Sequence, residues 1–345
     1  MNDPFGIAVL GLGRAGSFHL ESLRQSSAAA LVSVFDTDEK RAQETAQQQV
    51  CSAAKSAEEA IANPAVDAVV VSTPTDTHFD YVVAALEAGK PVFSEKPLGR
   101  RLEQLDTCYE LAEQKGLPLF VAFNRRFDPS FASLITQVHD GGIGDLRFVR
   151  TVSRDSPLPS MDYLRISGGI FHDCMVHDLD MICQIACETP SHVSAFASSF
   201  VEEIGDMNDY DNVVASLTFP SGVVASIDVN RDSVVGYDQR VEAFGSGGML
   251  QADNWHNTSV THATPTGFSR PLIDHSFPTR YREAYRIELD YFVECLEGKR
   301  SVPVTHQDVR VNHLLACGLE IAAREKRVVA FDEIEKIVGE QERGN

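Results

Sequence analysis

The chain has 345 residues, of which 43% are apolar and 23% charged, and its 30 basic against 50 acidic side chains leave a formal net charge of −20. At roughly 150 residues per domain the length points to about two domains, and the composition is that of a folded globular chain able to bury a sizeable core. The sign of the charge argues against nucleic acid, which needs a basic face to neutralise phosphates, and against anionic membrane surfaces.

The first third alternates strand and helix signals. Residues 5–10, 31–35, 68–72, 92–94 and 119–122 are short apolar runs that predict strands. Between them, 14–24, 38–48, 78–88 and 102–115 are rich in helix formers, the last two closed by Gly89 and Gly116. Strands separated by helices of this length predict right-handed βαβ units and a doubly wound parallel sheet. Beyond about residue 125 the pattern changes to a helix over 127–139, a strand over 145–153 and an apolar helix over 169–185. Strand-and-turn runs follow over 193–201, 212–219, 223–230 and 239–245, punctuated by Pro220-Ser221-Gly222 and Gly245-Ser246-Gly247-Gly248. Two more helices are predicted over 281–296 and 306–326. These signals predict an α/β domain over 1–125 and an α+β domain over 126–345 with a large open, mainly antiparallel sheet. The C-terminal helices are candidates to pack back on the first domain.

No run approaches the roughly 20 apolar residues of a membrane helix. Met1-Asn2-Asp3-Pro4 leaves no room for a leader peptide, and Glu342-Arg343-Gly344-Asn345 matches no peroxisomal or retention signal. Seven cysteines at wide spacings, with no C-x-x-C pair, read as reduced thiols. A cytoplasmic or similarly reducing compartment is expected.

Gly11-Leu12-Gly13-Arg14-Ala15-Gly16 is G-x-G-x-x-G between a predicted strand and a predicted helix. The first glycine permits the tight turn, the second lets backbone approach a pyrophosphate, and the third lets helix and strand pack closely. Amides at the helix N-terminus then face phosphate oxygens. Asp36 lies 20 residues beyond Gly16, at the end of the second strand. A carboxylate there accepts hydrogen bonds from the adenosine ribose and repels a 2′-phosphate, so NAD is expected over NADP. Lys40 and Arg41 nearby would favour a phosphate if Asp36 turned away. Ser72, Thr73, Pro74 and His78 follow a buried strand and either border the same crevice or form a polar strand exit that caps the next helix.

Glu95-Lys96-Pro97 follows another strand. Pro97 biases Lys96 towards an extended backbone at the carboxyl end of the sheet. An ammonium there can stabilise a forming alkoxide or relay its proton, although a loop lysine is more often simply solvated. In the predicted helix over 169–185, Asp173 and His177 are four residues apart and fall on one face. Such a pair suits acid–base work, the carboxylate fixing the imidazole tautomer, or else serves as a helix cap and a buried core histidine. His172 and His177 diverge around the helix, so no metal site is expected there.

Taken together, Gly11–Gly16, Glu95-Lys96-Pro97, Gly169-Ile170-Phe171-His172-Asp173 and His177-Asp178-Leu179-Asp180 resemble the Gfo/Idh/MocA oxidoreductases, and within them the myo-inositol 2-dehydrogenase group. The stretches 236–245 and 282–288 add to the resemblance. It implies a Rossmann domain holding NAD through Gly11, Leu12, Gly13, Arg14, Ala15, Gly16, Asp36, Ser72, Thr73, Pro74, His78 and Glu95. It implies a catalytic set carried over onto Lys96, Asp173 and His177, a small polyol or sugar substrate, and a homodimer or homotetramer built on the open sheet. His177 would take the hydroxyl proton, Asp173 would orient it, and Lys96 would steer the reacting oxygen. Arg126, Asp155, Tyr237, Tyr281 and Tyr285 are candidates for the substrate face, against packing roles for the tyrosines and an ion-pair role for Arg126. The chain departs from its likeness at His172, often Arg in the most similar members, and in the loop Ser156-Pro157-Leu158-Pro159-Ser160. Both bear on which polyol or sugar is used. A dinucleotide-binding regulator without turnover is the alternative from another class.

Overall fold

The computed structural model describes residues 3–344. Met1, Asn2 and Asn345, on which the leader and C-terminal-signal readings partly rest, lie outside the described residues. The chain forms two compact units, Met1–Phe127 with Arg282–Arg310, and Asp128–Tyr281 with Val311–Asn345.

In chain order the first unit carries β1 (Phe5–Leu10), α1 (Arg14–Gln25), β2 (Ala29–Phe35), α2 (Glu39–Gln49), β3 (Ser52–Ala53), α3 (Ala57–Ala62), β4 (Ala68–Val71), α4 (His78–Glu87), β5 (Val92–Glu95), α5 (Leu102–Lys115) and β6 (Leu119–Ala122). The six strands form a parallel sheet in the order β3-β2-β1-β4-β5-β6. Ile7–Leu10 of β1 and all of β4 are fully buried, which is why these strands read as continuous apolar runs rather than as alternating ones. The order reverses between β1 and β4, so Gly11 and Ser72 leave the sheet at its topological switch point, where ligands of open α/β sheets sit.

The second unit carries α6 (Pro129–His139), β7 (Leu146–Arg154), α7 (Met161–Ile166), α8 (Ile170–Asp173), α9 (Val176–Ala186), β8 (His192–Ser198), α10 (Glu202–Asp206), β9 (Asn212–Thr218), β10 (Val224–Asn230), β11 (Asp238–Gly245), β12 (Met249–Ala252), the hairpin of β13 (His262–Thr264) and β14 (Gly267–Ser269), and α11 (Phe277–Arg280). The chain then runs through α12 (Arg282–Leu296) of the first unit and α13 (His306–Glu325), and ends with β15 (Val329–Ala330) and α14 (Phe331–Gly344). A seven-stranded sheet has the order β12-β11-β7-β10-β9-β8-β15, with only β7 and β10 parallel. It is the open, mainly antiparallel sheet expected from the sequence.

The chain returns to the first unit through α12, where Phe292 joins an aromatic cluster with Phe93 and Phe120 at ring separations of 5.5 and 5.8 Å. Two differences from the sequence reading have local causes. The strand expected over 193–201 stops at Ser198, since the Asp211 carboxylate takes the amides of Phe200 and Val201 at 2.7 and 2.6 Å. The helix expected over 169–185 is broken at Cys174-Met175. There the Met175 amide reaches back five residues to the Ile170 carbonyl, and the His177 amide only three to Cys174. Asp173 therefore ends α8 and His177 sits in the first turn of α9, on two helices rather than on one face of one.

Candidate functional site

In the first unit the glycine loop is bound tightly to the strands beside it. The Gly11 amide donates to the Phe35 carbonyl at 2.8 Å, and the Ser72 hydroxyl donates to the Gly11 carbonyl at 2.8 Å. Gly11 has φ +87°, and a Cβ there would stand 2.6 Å from the Thr73 nitrogen. A Cβ on Gly16 would stand 2.1 Å from the Gly11 oxygen. Both positions thus require glycine. Gly13 is different: a Cβ there meets nothing within 4 Å, and as N-cap of the twelve-residue α1 it gives the helix no side-chain cap. Gly13 thus leaves room beside the N-terminus of α1 for a ligand to approach the backbone, which is what a pyrophosphate needs. Leu12, Arg14 and Ala15 lie on this turn.

Asp36 is buried and shaped by the loop. It accepts the Leu12 and Asp38 amides at 2.8 Å each, and Arg41 stands 3.3 Å away. Ser72 is a brace for Gly11, and Thr73 accepts a hydrogen bond from the Thr77 hydroxyl at 2.7 Å. Pro74 opens the short turn before α4. His78, buried in α4, spans two loops: one ring nitrogen lies 2.7 Å from the Thr73 carbonyl and the other 2.7 Å from the Pro97 carbonyl. Burial pushes its pKa down against these carbonyl contacts. His78 thereby ties the exit of β4 to the Lys96-Pro97 loop at the exit of β5, whose Lys96-Pro97 bond is cis.

Glu95 points to α1, where its carboxylate lies 2.9 Å from His19 Nε2. Burial would raise its pKa, but the hydrogen bond and charge of His19, with the charge of Lys96, hold it below the ordinary value. Tyr285 of α12 packs on this group, 5.3 Å from the Phe18 ring and 5.9 Å from His19. Glu288, one turn along α12, is fully buried, and neither of its carboxyl oxygens has a hydrogen-bond partner among the described residues. Arg126 also belongs to this unit. Its guanidinium donates to the Pro303 carbonyl at 2.7 Å and lies 3.4 Å from Asp308.

In the second unit Asp173 is held from two sides. The Tyr163 hydroxyl donates to Oδ1 at 2.8 Å, and the buried Arg231 guanidinium lies 3.2 Å from Oδ2. Arg231 leaves the end of β10, and Asp209 stands 3.8 Å from it. Asp209 also accepts the Ile170 amide at 3.0 Å and so caps α8 in place of its N-cap residue, Gly169. Gly169 has φ +88°, and a Cβ there would lie 3.1 Å from Asp209 Oδ1. Asp155, just past β7, accepts a hydrogen bond from Cys174 Sγ at 3.2 Å. Burial pushes the Cys174 thiol well up, opposed by Arg231 and assisted by Asp155 and Asp173. His177 follows two residues after the broken turn, and its neighbour Asp178 accepts the Ser153 hydroxyl at 2.7 Å. Tyr237 and Tyr281 are buried together, their rings 5.9 Å apart and edge-to-face. Arg280, paired with Asp128, lies over the Tyr281 ring.

The sequence reading missed His19, Tyr163, Asp209 and Arg231. Arg231 had one signal: an arginine set directly after an alternating strand, where an open sheet delivers its ligand-facing groups. Tyr163 had none, because the six residues of α7 are too few to show helical periodicity.

The family model for the oxidoreductase family with an NAD-binding Rossmann fold matches residues 5–123, and that for the GFO/IDH/MocA C-terminal domain matches residues 131–251. The chain is similar to the myo-inositol 2-dehydrogenase of Thermotoga maritima, at 39% identity over 95% of this chain and 99% of that one. It is also similar to the scyllo-inositol 2-dehydrogenase (NAD(+)) of Bacillus subtilis, at 34% identity over 90% and 92%. The crystal structure of a myo-inositol dehydrogenase from Corynebacterium glutamicum shares the fold with a TM-score of 0.89 at 34% identity, covering 95% of this chain and 98% of that one.

Proposed function

Since the chain belongs to the Gfo/Idh/MocA oxidoreductase family and its first 123 or so residues carry that family's NAD-binding Rossmann fold, we propose that it oxidises a secondary alcohol of a cyclic polyol, inositol first. The names of the relatives give the substrate class, and the observation that carries the reading to chemistry is Asp173. A buried arginine and a tyrosine hydroxyl both converge on its carboxylate, and because burying a guanidinium is costly unless it is paired, Arg231 holds that carboxylate in one place. Bound NAD supplies the hydride acceptor. His177 takes the proton of the reacting hydroxyl, and Asp173 orients it. Lys96 steers the reacting oxygen and stabilises charge as it forms there. Asp36 accepts the ribose hydroxyls, which favours NAD over NADP, and Arg41 stays engaged with Asp36 instead of a phosphate. Asp155 belongs to the substrate side, with Tyr237 and Tyr281 of the same unit, and Tyr285 is the candidate from the first unit.

The active form is a homodimer or homotetramer in a reducing, cytoplasmic setting. All seven cysteines are free, and no helix among the described residues is long and apolar enough to cross a membrane. Nicotinamide absorbance tests the reading directly. Purified protein is mixed with NAD or NADP and, in turn, with myo-inositol, scyllo-inositol, chiro-inositol, glucose and xylose. NADH is expected with an inositol, and little NADPH. Silence with every inositol, while NAD still binds in a parallel titration, would overturn it.

A further inference from the structure

Among the described residues, the side chains of His172, His313 and Cys317 bring their ligand atoms within 4.8 Å of one another. All three belong to the second unit and are half-buried. The arrangement follows from elementary helix geometry. His313 and Cys317 are four residues apart on α13 and so share one face, and Glu320 stands almost one turn further on. His172 approaches from α8, with its ring 5.9 Å from that of His313 and Nε2 3.1 Å from Glu320 Oε2. Glu320's other oxygen takes Arg324 at 2.6 Å.

We propose that His172, His313 and Cys317 form a binding site for a borderline-soft divalent cation, zinc first. One thiol and two imidazoles choose this class, whereas calcium and magnesium need oxygen ligands throughout. The spacing agrees. Zinc bonds of about 2.3 Å to sulfur and about 2.05 Å to nitrogen at the tetrahedral angle put the two ligand atoms about 3.6 Å apart. Cys317 Sγ and His313 Nε2 are 3.6 Å apart. Cys317 binds as the thiolate and gives its proton to solvent. The inference does not rest on the dehydrogenase reading. It does lie one residue from Asp173, so its occupant bears on the segment that carries the proposed chemistry.

Cobalt(II) is the probe. The full-length protein, stripped with a chelator, is titrated with cobalt. One equivalent should produce the intense visible bands of tetrahedral cobalt and the near-ultraviolet charge-transfer band of a cobalt–thiolate bond, and one equivalent of zinc should bleach both. Cys317→Ser should abolish the charge-transfer band, and His172→Ala or His313→Ala should weaken cobalt affinity at least tenfold. Cys187→Ser should keep the bands, which matters because Cys187 Sγ lies 3.3 Å from His139 Nε2, another close thiol–imidazole contact. Wild-type protein showing only weak octahedral cobalt overturns the site without reference to any variant. So does a charge-transfer band that survives Cys317→Ser, or one lost in Cys187→Ser.

Discussion

Lys96 carries the sharpest single-residue consequence of the proposed reaction. His78 holds the loop through the Pro97 carbonyl, and Glu95 is anchored on His19, so both neighbours of Lys96 are fixed by groups other than Lys96 itself. Lys96→Ala should therefore leave NAD binding within about twofold by fluorescence titration, while kcat falls by roughly 10²–10⁴, the usual share of one acid–base or charge-stabilising group. Unchanged turnover would remove Lys96 from the mechanism. Glu288 gives a prediction of a different kind. Burial, and then the charge of Glu95, push its carboxyl well above the ordinary glutamate range. A group whose pKa rises on folding binds more protons folded than unfolded, so it makes stability fall as pH climbs above about 4.3, by at most about 1.4 kcal/mol per pH unit. Glu288→Gln keeps the volume and removes the titration. The melting temperature of the variant relative to wild type should thus rise steadily between pH 5 and pH 8, and parallel profiles would show that Glu288 does not titrate in this way. Neither residue announced its surroundings in the sequence. Lys96 stood out through its motif, whereas Glu288 looked like one more acidic residue on an amphipathic helix, because its burial depends on α1 and β5, which are remote in the chain.

At the scale of elements, legibility tracked how much of the structural signal was local. Every strand and helix of the parallel sheet with a long apolar run could be read, as could the alternating strands β9, β10 and β11, because burial on both faces or on one face writes itself into the residue period. The hairpin of β13 and β14 is exposed throughout and left no such pattern, and β3 and β15 are two residues each. The joint between α8 and α9 was hidden because Cys174 and Met175 remain in the right-handed helical region and only the hydrogen-bond pattern changes. Anchors between remote elements were equally invisible. α5 is tied to the start of α13 through Asp106, which accepts from His306 at 2.7 Å and from Arg310 at 2.5–2.7 Å. Partial burial raises the pKa of Asp106, but the bonds from Arg310 and His306 prevail and hold it below the ordinary aspartate value. A depressed carboxyl contributes stability above about pH 4, and that contribution is lost as pH falls through the folded value. Asp106→Asn should cost up to about 1 kcal/mol at pH 7, given how much of the pair meets solvent. The gap to wild type should close on acidification below pH 4 in urea titrations. A gap that stays constant to pH 3 would mean that the cost of the substitution is steric rather than electrostatic.

For the whole molecule, the open sheet poses the question of what covers it. One face of the seven-stranded sheet is buried, through residues such as Val193, Ala195, Val213 and Ala243. The other face leaves Phe196 78% exposed, Val214 50%, Phe244 44% and Met249 51%. These are not scattered. Phe196 and Val214 are direct cross-strand partners on β8 and β9, and so are Phe244 and Met249 on β11 and β12. Apolar pairs presented outward along a sheet mark an association surface, and a second copy of the same sheet, packed about a two-fold axis, would bury every pair at once. Charge sets the conditions. Each chain carries −20, so two copies repel at long range, and salt that screens this repulsion should strengthen association while leaving the apolar contact intact. In sedimentation velocity, wild-type protein should run as a dimer or tetramer, and raising the salt from about 20 to about 200 mM, which shortens the Debye length about threefold, should shift any dissociating fraction towards it. Phe196→Glu combined with Phe244→Glu puts two desolvated charges into that face and should yield monomers with an unchanged far-ultraviolet circular dichroism spectrum. Wild-type monomers at micromolar concentration, or a double variant that keeps the wild-type assembly, would move the contact to another surface.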